Sequence, residues 1–149
     1  FGDSMTAQVS VYNNWKAAID EAVLRTATVK VTLHTSGYVF SAAHAVYADL
    51  ANELATANGY TNGGSPLASV TWSQTSGTAK FDAADLVWTA SGGSIVARWA
   101  IIRVVGTING QIDPLVEAIL LDDTPADVTA TSGNTLTLQW NGSGIQQLS

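Results

Sequence analysis

Between Ser94 and Val105 the chain reads SIVARWAIIRVV, a nearly unbroken apolar run. It is shorter than the ~18 apolar residues of a membrane span. Its branched aliphatic content reads as one long strand, and a strand this apolar belongs at the centre of a sheet. Extended back to Phe81, the stretch holds two of the five Trp and two of the six basic residues. It is therefore either an arginine-bearing active site or the central hairpin of a β domain. Strand parity favours the hairpin. Arg98 and Arg103 are five apart, and an odd spacing sends side chains of an unbroken strand to opposite faces. Only a bulge between them would let both grip one ligand. Each is expected to meet a nearby acid, such as Asp82 or Asp85 on a neighbouring strand, or a partner subunit.

From Leu67 onward the pattern is β throughout. LASVTWSQ is a strand, and SGTAKFDAADLVWTA holds one turn with two short strands or one bent strand. INGQIDP is a turn, LVEAILLDD a strand, and TPADVTATSGN a long polar connection. The closing TLTLQWNGSGIQQL puts Leu136, Leu138 and Trp140 on one face. Earlier, ATVKVTLHTSGY alternates: Val29, Val31 and Leu33 face one way, Lys30, Thr32 and His34 the other, as in a half-buried strand.

Two helices are expected before this. In SVYNNWKAAIDEAVLRTA, Trp15, Ile19, Ala22 and Val23 recur at helical spacing. Asn13 or Asn14 can cap its start, and Arg25 suits the negative end of the helix dipole. In SAAHAVYADLANELAT, Ser41 can cap a second, Ala-rich helix with Val46, Leu50 and Leu54 as its apolar stripe. The expected class is α+β, mainly β: an antiparallel β-sheet or sandwich with one N-terminal helix and a second Ala-rich helix. Residues 1–10 read as an extended arm and 11–149 as a single β-rich domain.

At 149 residues the chain is long enough for one core. Only 12% of its residues are charged, about half the usual share, with small polar residues in their place. Such a surface suits a subunit packed against others. The net charge of −6, with no basic run, argues against nucleic acid and against an anionic membrane surface. Without cysteine there is no disulfide, thiolate metal site or Cys nucleophile, as in proteins made in a reducing cytosol. The opening FGDSMTAQ lacks the charged start and apolar core of a signal peptide.

The candidate chemistry is sparse. His34, His44 and Asp49 together have metal-binding side chains but no metal-binding spacing, so two ordinary histidines are the better reading. Asp122, Asp123 and Asp127 contain oxygen ligands for calcium without a regular ligand loop. Adjacent acids on a strand point apart, and the pair Asp82 and Asp85 comes with no recognisable sugar cleft. NGGSP at Asn62–Pro66 lacks the Lys and helix of a phosphate loop and reads as a flexible turn. Trp15 and Trp140 read as core, and Trp72, Trp88 and Trp99 are better explained by packing than by sugar stacking. No catalytic, cofactor-binding or metal residue is assigned, and no cofactor is expected.

Taken together, VYNNWKAAID, TVKVTLHTSGYVF, ADLANELATANGYTNGGSPLASVTW, AKFDAADLVWTASGGSIVARWAIIRV and LTLQWNGSGI resemble small structural proteins of tailed bacteriophages. The resemblance runs from Val11 to Ile145 and is one of pattern, so it carries over no site residues. It implies a non-enzymatic, many-copy virion subunit, first of all a decoration (cement) protein on the capsid exterior, made in the host bacterial cytoplasm. Its implied partners are the major capsid protein and copies of itself, as a homo-oligomer such as a trimer. Phe1, Met5 and Val9 on the arm, with Arg98 and Arg103, are the expected subunit or capsid contacts. Full burial of each arm side chain would contribute about 1.5–3 kcal/mol. A tail, neck or fibre-associated subunit is the alternative within virions, and a carbohydrate-binding β module the alternative of another class.

Overall fold

The computed structural model describes residues 7–18 and 26–148. Strands β1 (Gln8–Val11), β2 (Val29–His34) and β3 (Ser65–Pro66) precede β4 (Thr71–Thr75), β5 (Thr78–Asp82), β6 (Leu86–Thr89) and β7 (Ile95–Ala97). Then come β8 (Trp99–Val104), β9 (Thr107–Ile108), β10 (Gln111–Ile112), β11 (Leu115–Leu120), β12 (Val128–Ala130), β13 (Thr135–Leu138) and β14 (Gln146–Leu148). A short helix α1 (Asn13–Ala18) and a 3-10 turn at Tyr47–Asp49 complete the described elements. The fold is mainly β, and every strand pair is antiparallel.

The main sheet has five strands in the order β1-β11-β8-β2-β3. The apolar run supplies its centre: β8 lies between β2 and β11, and from Ala100 to Val104 every residue is buried. Smaller pairings, β6 with β13, β7 with β12, β9 with β10, and β4–β5–β14, complete the described sheets. Two hairpins owe their tight turns to residues that tolerate positive φ. Ser76-Gly77 joins β4 to β5, and Asn109-Gly110 joins β9 to β10, with all four residues at positive φ.

Register assigns the faces of the main sheet. Val29, Val31 and Leu33 lie opposite Val104, Ile102 and Ala100 on one face, while Thr32 and His34 lie opposite Ile101 and Trp99 on the other. The pairing of β11 with β8 shifts between Leu115 and Glu117, a bulge. Beyond it Glu117 and Ile119 share the face of Ile102 and Ala100, and β1 adds Val11 and Val9 opposite them.

Several expectations are corrected. The Ser94–Val105 run is not one strand: it changes sheets at Arg98, β7 pairing with β12 and β8 with β2 and β11. The alternation of β2 marks no solvent face, since Thr32 and His34 are as buried as Val31 and Leu33. The polar connection before β13 contains β12. The Ala-rich second helix does not form. Its backbone pairs with the rest of the fold instead: Tyr47 N–H donates to Asp113 O (2.9 Å), Leu115 N–H to Ala45 O (2.9 Å) and Leu54 N–H to Leu33 O (2.9 Å). Asp49 Oδ2 accepts from the N–H groups of Ala45 and Val46, and Asn52 has φ +60°, which a helix interior excludes. Helical spacing in Ala-rich sequence thus yields to tertiary pairing.

In the first helical segment, Asn13–Ala18 is helical and Trp15 is fully buried. Ile19, Ala22, Val23 and Arg25 lie outside the described residues. So do Phe1 and Met5 of the arm. The arm's last residues, Gln8–Ser10, belong to β1 at the edge of the main sheet.

Candidate functional site

The two arginines stand in separate settings, each with its own acid. Arg98 sits at the junction of β7 and β8, and its Nε donates to Asp127 Oδ1 at 2.7 Å. Its N–H donates to His34 O and its carbonyl accepts from Leu121 N–H, so the sheet change is held on both sides. Arg103, on β8, is only 5% exposed. Its Nη1 lies 3.3 Å from Asp113 Oδ2, its Nη2 donates to Gly63 O at 2.9 Å, and its guanidinium lies 4.1 Å from the centre of the Tyr47 ring. The expected partners Asp82 and Asp85 are engaged elsewhere. Asp82 pairs with Lys80 at 2.9 Å, and Asp85 Oδ1 accepts from Trp140 N–H. The acids used instead stand at the starts of neighbouring strands: Asp127 just before β12, which pairs with β7, and Asp113 two residues before Leu115, which lies opposite Arg103.

Around Arg103 is a polar layer that the sequence reading did not identify. Its centre is Glu53, opposite His34 in an isolated bridge. Glu53 accepts from Tyr47 OH, from Tyr60 OH (2.6 Å) and from Gly63 N–H (2.6 Å). Tyr60 OH also accepts from Leu33 N–H at 3.1 Å. Burial and the bond to Glu53 push the Tyr47 hydroxyl up to about 12, and the same causes raise Tyr60. One carboxylate therefore cross-links the loop after β2 through three donors, and the loop meets the main sheet through Leu33 N–H on Tyr60 OH, Leu54 N–H on Leu33 O and Arg103 on Gly63 O. A Glu in an irregular loop carries no local signature of this role.

His34 is a buried structural histidine. Its Nδ1 lies 2.8 Å from Ala51 O, so Nδ1 carries the proton, and Nε2 lies 2.9 Å from Thr32 Oγ1. Burial lowers its pKa, against smaller opposing effects of Ala51 and Glu53, and keeps the ring neutral. His44 instead lies 3.2 Å from Tyr38 OH, which bonds Tyr12 OH at 2.9 Å. Tyr38 meets Trp99 edge-on, and Phe40 stacks near the same indole. Among the described residues no group of three His or acids is placed to hold a metal ion. Asp122 accepts from the N–H and hydroxyl of Thr124, and Asp127 holds Arg98.

The second place of interest is a cleft beside β1. It has a volume of about 460 Å³ and lies between β1, β11 and the segment after β13. Val9, 54% exposed, is one of its walls, and Trp140 another. The Trp140 ring is fixed by its Nε1–H bond to Ala84 O at 3.0 Å. Glu117 also lines the cleft, yet it is only 1% exposed and its Oε2 has no hydrogen-bond partner among the described residues. Burial alone pushes this carboxyl up to about 8. The signal was present in the sequence as one acid inside the apolar run LVEAILL.

The site residues expected from sequence therefore separate. Val9 lines the cleft, Arg98 fixes a strand junction, and Arg103 belongs to the polar layer. All five Trp are buried or half-buried, with Trp99 and Trp140 the half-buried pair. Comparison of the chain with protein-family models, with curated proteins and with solved structures gives no match.

Proposed function

We propose that the chain is a structural subunit of a bacteriophage virion, acting as a capsid decoration protein rather than an enzyme, with its sheets stacked as a β-sandwich. The observation that carries this reading is the contrast between the two edges of the main sheet. Proteins that stay free in solution blunt their sheet edges with charge, Pro, bulges or very short strands. The β3 edge follows that rule: it has two residues, and Pro66 has no N–H to offer. The β1 edge does not. Its Gln-Val-Ser-Val sequence has neither charge nor Pro, and it pairs without a register shift to β11. Among the described residues its other side is unpaired. An edge of this kind suits pairing with a neighbouring chain. The low charge and the resemblance to phage structural proteins support the same reading.

Adding purified protein to particles that lack it tests the proposal. Saturable binding at capsid lattice points, with greater heat resistance of the particle, is the expected result. Val9→Lys should lower occupancy while the chain stays folded by circular dichroism. Binding confined to the tail favours a tail, neck or fibre subunit instead, and unchanged occupancy of V9K refutes the edge contact. The carbohydrate-module reading has less support, because Trp15, Trp72 and Trp88 are buried.

A further inference from the structure

Glu117 presents a problem that the proposed assembly role does not solve. A buried polar group in a native protein is nearly always hydrogen-bonded, and a buried carboxyl without a partner is costly. Glu117 occupies the second strand from the sheet edge, just after the bulge in β11. Two residues apart on β11, Glu117 and Ile119 share one face, Val9 lies opposite Ile119, and all three line the cleft. A hydrophobic side chain there would extend the aliphatic face made by Ile102, Val31 and Val11. The chain places an acid at the wall of a cavity instead.

The other walls define what would fit. Val9, Ile119 and Ile145 are aliphatic, Trp140 contributes an aromatic ring held in place through its N–H, and Gln139 and Asn141 bring neutral amides. Among the described residues lining the cleft, Glu117 is the only ionisable one. Its volume of about 460 Å³ lies in the range of small-molecule sites. An apolar body would meet the aliphatic walls, a cationic head would meet the carboxylate, and an indole ring nearby favours a cation over an anion. We propose that this cleft is a binding site for a small organic cation, an ammonium group on an apolar body, with the Glu117 carboxylate as its anchor. The inference is independent of the virion reading, because it rests on the cavity and on Glu117 alone.

A carboxyl held in its acid form by burial must ionise to pair with an ammonium ion. Binding at neutral pH should therefore release close to one proton per complex. Hexylammonium is the probe, with 1-hexanol and glucose as neutral controls. Titration calorimetry in buffers of different ionisation enthalpy reads the affinity and the proton release. NMR of the Trp140 indole N–H and of the 13C-labelled Glu117 carboxyl places the ligand. Hexylammonium should bind at one site, shift both signals and release the proton. E117Q should weaken binding at least tenfold and abolish the release, while E117L, which removes a buried polar group, confirms that the fold survives. The proposal is overturned if hexanol binds as tightly as hexylammonium, if E117Q binds it unchanged, or if only glucose shifts Trp140. It is equally overturned if millimolar hexylammonium shifts neither signal.

Discussion

Glu117 should make this protein lose stability as the pH rises, and the size of the loss follows from its burial. The carboxyl titrates near 4.5 in the unfolded chain and near 8 in the folded one. Between those values the unfolded state releases its proton while the folded state retains it, so each step upward in pH favours unfolding. The contribution of Glu117 is fully present below about 4.5 and is lost as pH rises through about 8. The gap corresponds to roughly 5 kcal/mol, the larger part of which is already lost at neutral pH. This is comparable to the whole stability of many small domains. The assay is urea unfolding of the wild type and of E117Q at several pH values between about 4 and 9. The amide cannot ionise in this range, so every other titrating group cancels in the difference between the two curves. E117Q should gain on the wild type steadily with pH, by several kcal/mol over the range, and E117L should be more stable still at neutral pH. Parallel curves would show that Glu117 ionises as easily folded as unfolded, and the reasoning from its burial would fail.

Two further perturbations probe the rest of the fold. Glu53→Ala leaves the hydroxyls of Tyr47 and Tyr60 and the N–H of Gly63 without their acceptor. It should cost about 3–5 kcal/mol in urea unfolding, and E53Q, which keeps an acceptor oxygen, clearly less; a cost for E53A below ~1 kcal/mol would show that the loop is anchored otherwise. Gly64→Ala puts a Cβ 2.3 Å from Val31 O at a φ of +82°, whereas Gly77, with φ +85°, faces open space. G64A should lose at least ~2 kcal/mol and the exchange protection of the β2–β3 amides, and G77A only the ~1 kcal/mol of the backbone term; equal losses would rule out the contact with Val31.

The β content and the centre of the sheet were legible in the sequence because both rest on short-range pattern. Branched aliphatic runs at β7, β8 and β11, and turn residues such as Asn109-Gly110, act within a few residues of themselves. The burial of Trp15 was legible for the same reason. Local pattern failed where a partner distant in the chain decided the outcome. Helical spacing from Ser41 to Thr56 lost to backbone pairing with Asp113, Leu115 and Leu33. The polar parity of Thr32 and His34 carried no information about solvent, because the second face of β2 is buried as well.

The candidate site divides along the same line. Sequence alone determined that Arg98 and Arg103 would need acids, because a cation in or beside a buried strand must be compensated. Only the tertiary structure decided which: Asp127 and Asp113 precede β12 and β11, the strands that pair beside Arg98 and Arg103, and that pairing depends on the sheet change at Arg98 and on the chain reversal through the β9–β10 hairpin. Sequence alone also placed one acid within LVEAILL. Whether that acid faces a partner, solvent or a cavity depends on the register of β11 and on the packing of residues 139–145 against it. Those are contacts across the whole chain, and no local pattern encodes them.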